Sequence, residues 1–153
     1  MRVLVADDDP SVRALVAIGL HPAEVIEAGD GHEALQVLES TLVDVVLLDV
    51  MMPGHDGFAV LARIRESWPN GGPAVLMLTG LTEELDHVAA FRLGADGYIT
   101  KPVDPDELTD EAKRAHLRSP GERRRHREAE LARAEFLRTL ETGFNDSVGR
   151  AGR

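Results

Sequence analysis

The chain has no cysteine, few aromatic residues and no long apolar run, and each shortage excludes a class of protein. Without cysteine there is neither a disulfide framework nor a thiolate metal site. No apolar run reaches the roughly 18 residues of a membrane-spanning helix, and three aspartates interrupt the N-terminal run too early for a signal peptide. The composition, 43% hydrophobic and 29% charged, is that of a globular protein, which we expect in the cytoplasm without a membrane partner.

Charge is divided unevenly between two regions of the chain. Residues 1–118 carry 9 Lys and Arg against 21 Asp and Glu, a net charge of −12. Residues 119–153 carry 8 Arg against 6 acidic residues, a net charge of +2. The acidic region disfavours nucleic acid and favours metal cations or basic surfaces as partners. For a chain of 153 residues this predicts one domain over residues 1–118 and an extension over residues 119–153.

Within the first region, short apolar runs alternate with segments of helical period. The runs predicted as strands are 2–6, 24–28, 44–48, 74–79 and 97–100. The predicted helices begin at Pro10, Glu33, Gly57, Thr82 and Pro105. Asp9 and Asp104 fit N-terminal caps, and Gly94 fits a C-terminal cap. Strict alternation predicts an α/β fold, a (βα)₅ doubly wound five-stranded parallel sheet, followed by a C-terminal helical extension.

Chemically useful residues stand at the carboxyl ends of four predicted strands. They are Asp7 and Asp8 after the first strand, Asp49 after the third, Thr79 at the end of the fourth and Lys101 after the fifth. Singly, each is explained as a turn, cap or surface residue. Together they meet at the edge of the sheet where doubly wound folds bind ligands.

These carboxylates require a cation. At about 4 Å, two of them repel by about 4 kcal/mol at an effective dielectric of 20. Hard oxygen ligands suit Mg²⁺, and the predicted ligands are Asp8, Asp49, the backbone carbonyl of Met51, and Asp7 through water. The six scattered histidines do not form a zinc motif.

A carboxylate beside Mg²⁺ can attack a phosphoryl group and form an acyl phosphate. Asp49 is the best candidate because it alone ends the predicted central strand. Lys101 and the Thr79 hydroxyl would then neutralise and bind the phosphate oxygens.

Five stretches carry a resemblance to a known family. They read LVADDDP over 4–10, EAGDGHEAL over 27–35, LLDVMMPGHDG over 47–57, LTG over 78–80 and GADGYITKP over 94–102. With these motifs in this order, the sequence resembles the receiver domain of two-component response regulators.

The resemblance implies a phosphorylation-driven signalling switch, not a turnover enzyme. Asp49 would accept a phosphoryl group from a phosphohistidine of a sensor histidine kinase or from a small acyl phosphate. Lys101, joined to Pro102 by a cis bond, would pair with the phosphate, and Thr79 and Tyr98 would form the two-state switch. Output would pass through helix 4, strand 5, helix 5 and the C-terminal helix, with homodimerisation there.

One departure concerns loss of the phosphate. Met51 and Leu81, each two residues beyond a site residue, are apolar where a polar side chain could position an attacking water. We therefore expect slow dephosphorylation.

The extension begins with a helix break at 119–121, followed by an arginine cluster over 123–127. A helix is predicted over 128–140, and its apolar stripe comprises Ala129, Ala132, Phe136, Leu137 and Leu140. Residues 143–153 are predicted to be a flexible tail. The arginines lack interleaved aromatic residues, so direct nucleic-acid binding is not favoured over a solvated or dimer-facing helix.

Two alternatives remain open. A dehalogenase-type phosphohydrolase also uses an aspartate nucleophile and Mg²⁺, but it requires Asp-x-Asp-x-Thr after the first strand, and position 11 is Ser. A phosphorylation-independent interaction module would keep the fold without the chemistry.

Overall fold

The computed structural model describes residues 1–80 and 84–151, and for residues 84–86 and 145–151 it describes the backbone only. The strands are β1 (Arg2–Ala6), β2 (Glu24–Ala28), β3 (Val45–Asp49), β4 (Ala74–Thr79) and β5 (Gly97–Thr100). The helices are α1 (Pro10–Gly19), α2 (Gly31–Ser40), α3 (Gly57–Ser67), α4 (Glu84–Leu93), α5 (Pro105–Leu117) and α6 (Pro120–Ala151). All strands pair in parallel, in the order β2-β1-β3-β4-β5. The predicted doubly wound sheet is confirmed.

Aspartates set where four of the helices begin. Asp9, Asp30, Asp56 and Asp104 are the N-cap residues of α1, α2, α3 and α5, and each carboxylate accepts a backbone N–H of the first turn. Because Asp30 caps α2, that helix begins at Gly31, two residues before the predicted start. Asp9 therefore has the capping role predicted for it.

The sheet is covered on both faces, which explains its nearly continuous apolar strands. One face carries Leu4, Ala6, Val46 and Leu48, which pack with side chains of α2, α3 and α4. The other carries Val3, Val5, Val45 and Leu47, which pack with side chains of α1 and α5. Each fully buried Val or Leu contributes roughly 1.5–3 kcal/mol.

Helix α6 is longer than predicted in both directions. It begins at Pro120, after Ser119, whose hydroxyl accepts the Glu122 N–H at 3.2 Å. It continues to Ala151, so residues 143–151 of the predicted flexible tail over 143–153 are helical. The helix lies against α4 of the same chain.

The prediction for α4 falls partly outside the described residues. The start of α4 was placed at Thr82, which is not described, and the helix is seen from Glu84. Its C-terminal end agrees with prediction: Gly94 has φ of 105°, and the Ala95 N–H donates to the carbonyl of Ala90 at 2.9 Å. Among the described helices, none combines the length and apolarity required to traverse a bilayer.

Candidate functional site

The three predicted acidic residues meet at the carboxyl edge of the sheet. Asp7 and Asp8 follow β1, Asp49 ends β3, and these two strands are neighbours at the centre of the sheet. One carboxylate oxygen from each lies within 4.8 Å of the others. Asp7 and Asp49 are buried, whereas Asp8 is exposed. The cluster therefore has a closed floor and one side open to solvent.

Lys101 reaches this cluster from the far side of β4. Its Nζ lies 2.8 Å from Asp7 Oδ2 and 3.4 Å from Asp49 Oδ1. Burial alone would lower the pKa of Lys101, but the hydrogen bonds and charges of Asp7 and Asp49 outweigh it and raise that pKa. Lys101 is therefore a fixed cation, and its peptide bond to Pro102 is cis, as predicted.

One lysine is too little positive charge for three carboxylates. Burial, and then the charge of Asp7, raise the pKa of Asp49 to about 6, against the opposing effects of Lys101 and the Met51 N–H. The cluster keeps an excess of negative charge on hard oxygen ligands. This donor set fits a divalent cation such as Mg²⁺, which commonly binds through one or two carboxylates and water.

The other predicted residues border the cluster. Thr79 is buried, and its carbonyl accepts the Lys101 N–H at 2.7 Å. Met51 is exposed, and its N–H donates to Asp49 Oδ1 at 3.2 Å. Its carbonyl as a metal ligand stays a prediction, and Leu81 lies outside the described residues.

Tyr98 is half-buried and faces α4. Its ring stacks on His87 with a centroid distance of 3.8 Å and meets the edge of Phe91 at 6.0 Å. The same three residues line a cavity of about 360 Å³ whose other wall is α6. Any movement of Tyr98 would therefore change the packing between α4 and α6.

Sequence reasoning missed two residues that position the cluster. Gly57 lies so close to the Asp49 carbonyl that a side chain would collide with it, and its N–H donates to the Val50 carbonyl at 3.0 Å. Arg13 donates from Nη1 to the Asp7 carbonyl at 2.7 Å. Arg13 is the only Lys or Arg between Arg2 and Arg63. A single basic residue close to an acidic strand end was the sequence signal that could have identified it.

Fold and site together define a class: doubly wound α/β domains with an acidic, lysine-bound cluster at the carboxyl edge of the sheet. The family model described as response regulator receiver domain matches residues 3–113. The chain belongs to this family, the receiver domains of two-component response regulators.

Relatives and solved structures agree with this assignment. The chain is 40% identical over 109 residues to a probable transcriptional regulator ycf27 of Guillardia theta, covering 70% of this chain and 42% of that protein. It is 39% identical over 109 residues to the DNA-binding dual master transcriptional regulator RpaA of Synechocystis, covering 70% and 45%. The receiver domain of NtrX from Brucella abortus superposes with a TM-score of 0.72 at 34% identity, covering 76% and 99%.

These relatives limit what can be transferred. The chain spans less than half the length of the two regulators, so their whole-protein activities are not attributed to it. The dehalogenase alternative loses its support, because the chain belongs to the receiver family and because Ser11, at the position where that alternative requires Thr, lies in α1.

Proposed function

We propose that the protein is a cytoplasmic phosphorylation switch in which Asp49 accepts a phosphoryl group from a phosphohistidine of a sensor histidine kinase. The observation that carries this proposal is the Asp49 carboxylate, grouped with Asp7 and Asp8 and 3.4 Å from the Lys101 ammonium. Asp8 and Asp49, the Met51 carbonyl and, through water, Asp7 would hold Mg²⁺. When bound, Mg²⁺ would neutralise the carboxylates and polarise the phosphoryl oxygens.

The residues of this chain divide the chemistry between them. Asp49 Oδ forms the new P–O bond as the P–N bond to the histidine breaks and the electron pair returns to the imidazole. Attack requires ionised Asp49, which its raised pKa opposes and added positive charge favours. After transfer, the Lys101 ammonium pairs with the phosphate instead of the carboxylates. The Thr79 hydroxyl donates to a phosphate oxygen.

Labelling with acetyl phosphate tests the assignment. Intact-mass spectrometry should show one added phosphoryl group in the parent with Mg²⁺, and none with EDTA or in Asp49→Asn. The matched control is Asp44→Asn, an exposed aspartate directly before the other end of the same strand, which should label like the parent. Labelling of Asp49→Asn at the parental rate would contradict the proposal.

We further infer that output passes through Tyr98 to α6. Tyr98 contacts α4, and α6 covers α4 within the same chain. On its outer side α6 leaves apolar side chains exposed, among them Phe136, Leu140 and Phe144. A homodimer formed through α4, β5, α5 and α6 would bury these exposed apolar side chains.

Light scattering with beryllofluoride, a mimic of the phosphoryl group, tests this output. With beryllofluoride, the molar mass of the parent should double, whereas that of Phe136→Ser should remain that of a monomer. Unchanged mass despite measured beryllofluoride binding would overturn the dimer but leave the phosphoacceptor intact.

DNA binding is not proposed for this chain. The printed name of RpaA describes a protein of which the chain covers 45%. Of the arginines in the cluster over 123–127, Arg123 and Arg127 are directed at Asp96 within the chain.

A further inference from the structure

A second charged cluster surrounds Asp96, directly before β5. Asp96 is 1% exposed, and its Oδ2 accepts the Val75 N–H at 2.9 Å. Arg65 of α3 donates to Oδ2 at 2.8 Å, and Arg127 of α6 donates to Oδ1 at 2.7 Å. Arg123 of α6 lies 3.6 Å from Oδ2. Three guanidinium groups thus converge on one carboxylate.

The cluster has more positive charge than its carboxylate can balance. Burial lowers the pKa of Arg65, and the charges of Arg127 and Arg123 lower it further, against the effect of Asp96. Arg123 is 6% exposed; its Nη2 donates to the Gly72 carbonyl at 2.8 Å, and its Nη1 has Asp96 Oδ2 at 3.6 Å but no hydrogen bond to the described residues. Three guanidinium groups against one carboxylate leave an excess of positive charge beside Asp96, which a further anion would offset.

A cavity of about 70 Å³ adjoins the cluster. Its wall includes four arginines, Arg65, Arg123, Arg124 and Arg127, together with Trp68 and Asn70. No carboxylate contributes to the lining within the described part of the chain. The N-terminus of α6 also lines it, and the partial positive charge of that helix end favours an anion.

We propose that this cavity binds a small tetrahedral oxyanion of the phosphate class. Guanidinium groups recognise phosphate oxygens by paired hydrogen bonds, and the cavity offers several of them with an amide and a helix N-terminus. The site lies at the amino edge of the sheet. Because β4 has six residues, it is about 17 Å from the Asp49 edge, and it does not depend on the phosphorylation proposed there.

Binding would join two parts of the molecule. Trp68 and Asn70 belong to the connection between α3 and β4, whereas Arg123, Arg124 and Arg127 belong to the first two turns of α6. An anion between them would hold the start of α6 against the domain. It would therefore stabilise the arrangement in which α6 covers α4.

The single tryptophan of the chain supplies the assay. Fluorescence of Trp68 in the full chain, with EDTA to keep divalent cations from the acidic cluster, is titrated with sodium phosphate and with sodium chloride at matched ionic strength. We expect a saturable change with phosphate and none with chloride. Sulfate distinguishes a general oxyanion site, where it also saturates, from one selective for phosphate, where it does not.

Two variants locate the response. Arg124→Gln, an exposed residue, should weaken phosphate binding about tenfold, because one charge-assisted contact is lost. Arg138→Gln removes the same charge about 21 Å further along α6 and should bind phosphate like the parent. Far-UV circular dichroism confirms that both variants keep their helix content. Equal responses to phosphate and chloride, or unchanged affinity in Arg124→Gln, would overturn the site.

Discussion

The two edges of the sheet carry opposite charge arrangements. At the carboxyl edge, three aspartates share one lysine, and at the amino edge, three arginines share one aspartate. The acidic cluster is open to solvent through Asp8, and its two buried carboxylates pair with Lys101. The basic cluster encloses Asp96 and attaches α6. Similar excess charge thus lies open to solvent at one edge and holds α6 in place at the other.

Asp96→Asn should have the largest effect on stability. It leaves buried arginines without their carboxylate, and breaking a buried ion pair of this kind costs about 3–5 kcal/mol. Urea unfolding at pH 7 measures the loss, and proteolysis within α6 should accelerate. A loss below about 1 kcal/mol would mean that the cluster is not structural.

Asp49→Asn should have the opposite effect on stability, making the fold more stable at pH 7. A carboxyl group whose pKa is raised from 3.8 to about 6 in the fold is destabilising when ionised, by up to about 3 kcal/mol. Its stabilising effect is present when it is protonated and is lost as the pH rises from about 4 to about 6. Without divalent cations the variant should therefore be more stable than the parent at pH 7.

The pH profile provides the control for this prediction. As the pH falls from 7 to 5, the parent should gain stability relative to Asp49→Asn, narrowing the difference between them. A variant less stable than the parent at pH 7 would show that the Lys101 pair outweighs burial.

Mg²⁺ should raise the free energy of unfolding by binding at the acidic edge and not at the basic edge. At one hundred times its dissociation constant, a bound ligand adds about 2.7 kcal/mol to the free energy of unfolding. Thermal melts with Mg²⁺, compared with Na⁺ at equal ionic strength, should show the gain in the parent and in Arg124→Gln. The gain should shrink in Asp8→Asn, whose exposed position makes misfolding a poor explanation.

The smallest effect is expected for the exposed ion pair between α4 and α6. Arg92 Nη2 and Glu135 Oε1 are 2.7 Å apart, with side chains 63% and 47% exposed. Solvent screening limits such a pair to under about 1 kcal/mol. A double-mutant cycle of Arg92→Gln and Glu135→Gln measures it, and a coupling comparable to the loss in Asp96→Asn would reverse our view of what attaches α6.

Local sequence was sufficient for most of the fold. Strands β1, β2, β4 and β5 have the predicted bounds and helix α3 begins at the predicted residue, because apolar runs and aspartate caps act over a few residues. The convergence of Asp7, Asp8, Asp49 and Lys101 was predictable too, since a parallel sheet brings all its strand ends to one edge. Their catalytic and metal-binding roles stay predictions.

The extension was harder to predict. Its helix exceeds the predicted 128–140 in both directions, and Arg123 and Arg127 were interpreted as part of a surface cluster. Their partner Asp96 is about 30 residues away and carries no local signal of burial. The alternating strands and helices and the charged strand ends could be predicted from sequence, because they depend on neighbours along the chain. The packing of α6 on α4 and the enclosure of Asp96 by three arginines became visible in the folded chain alone, because those contacts depend on how distant segments fill space.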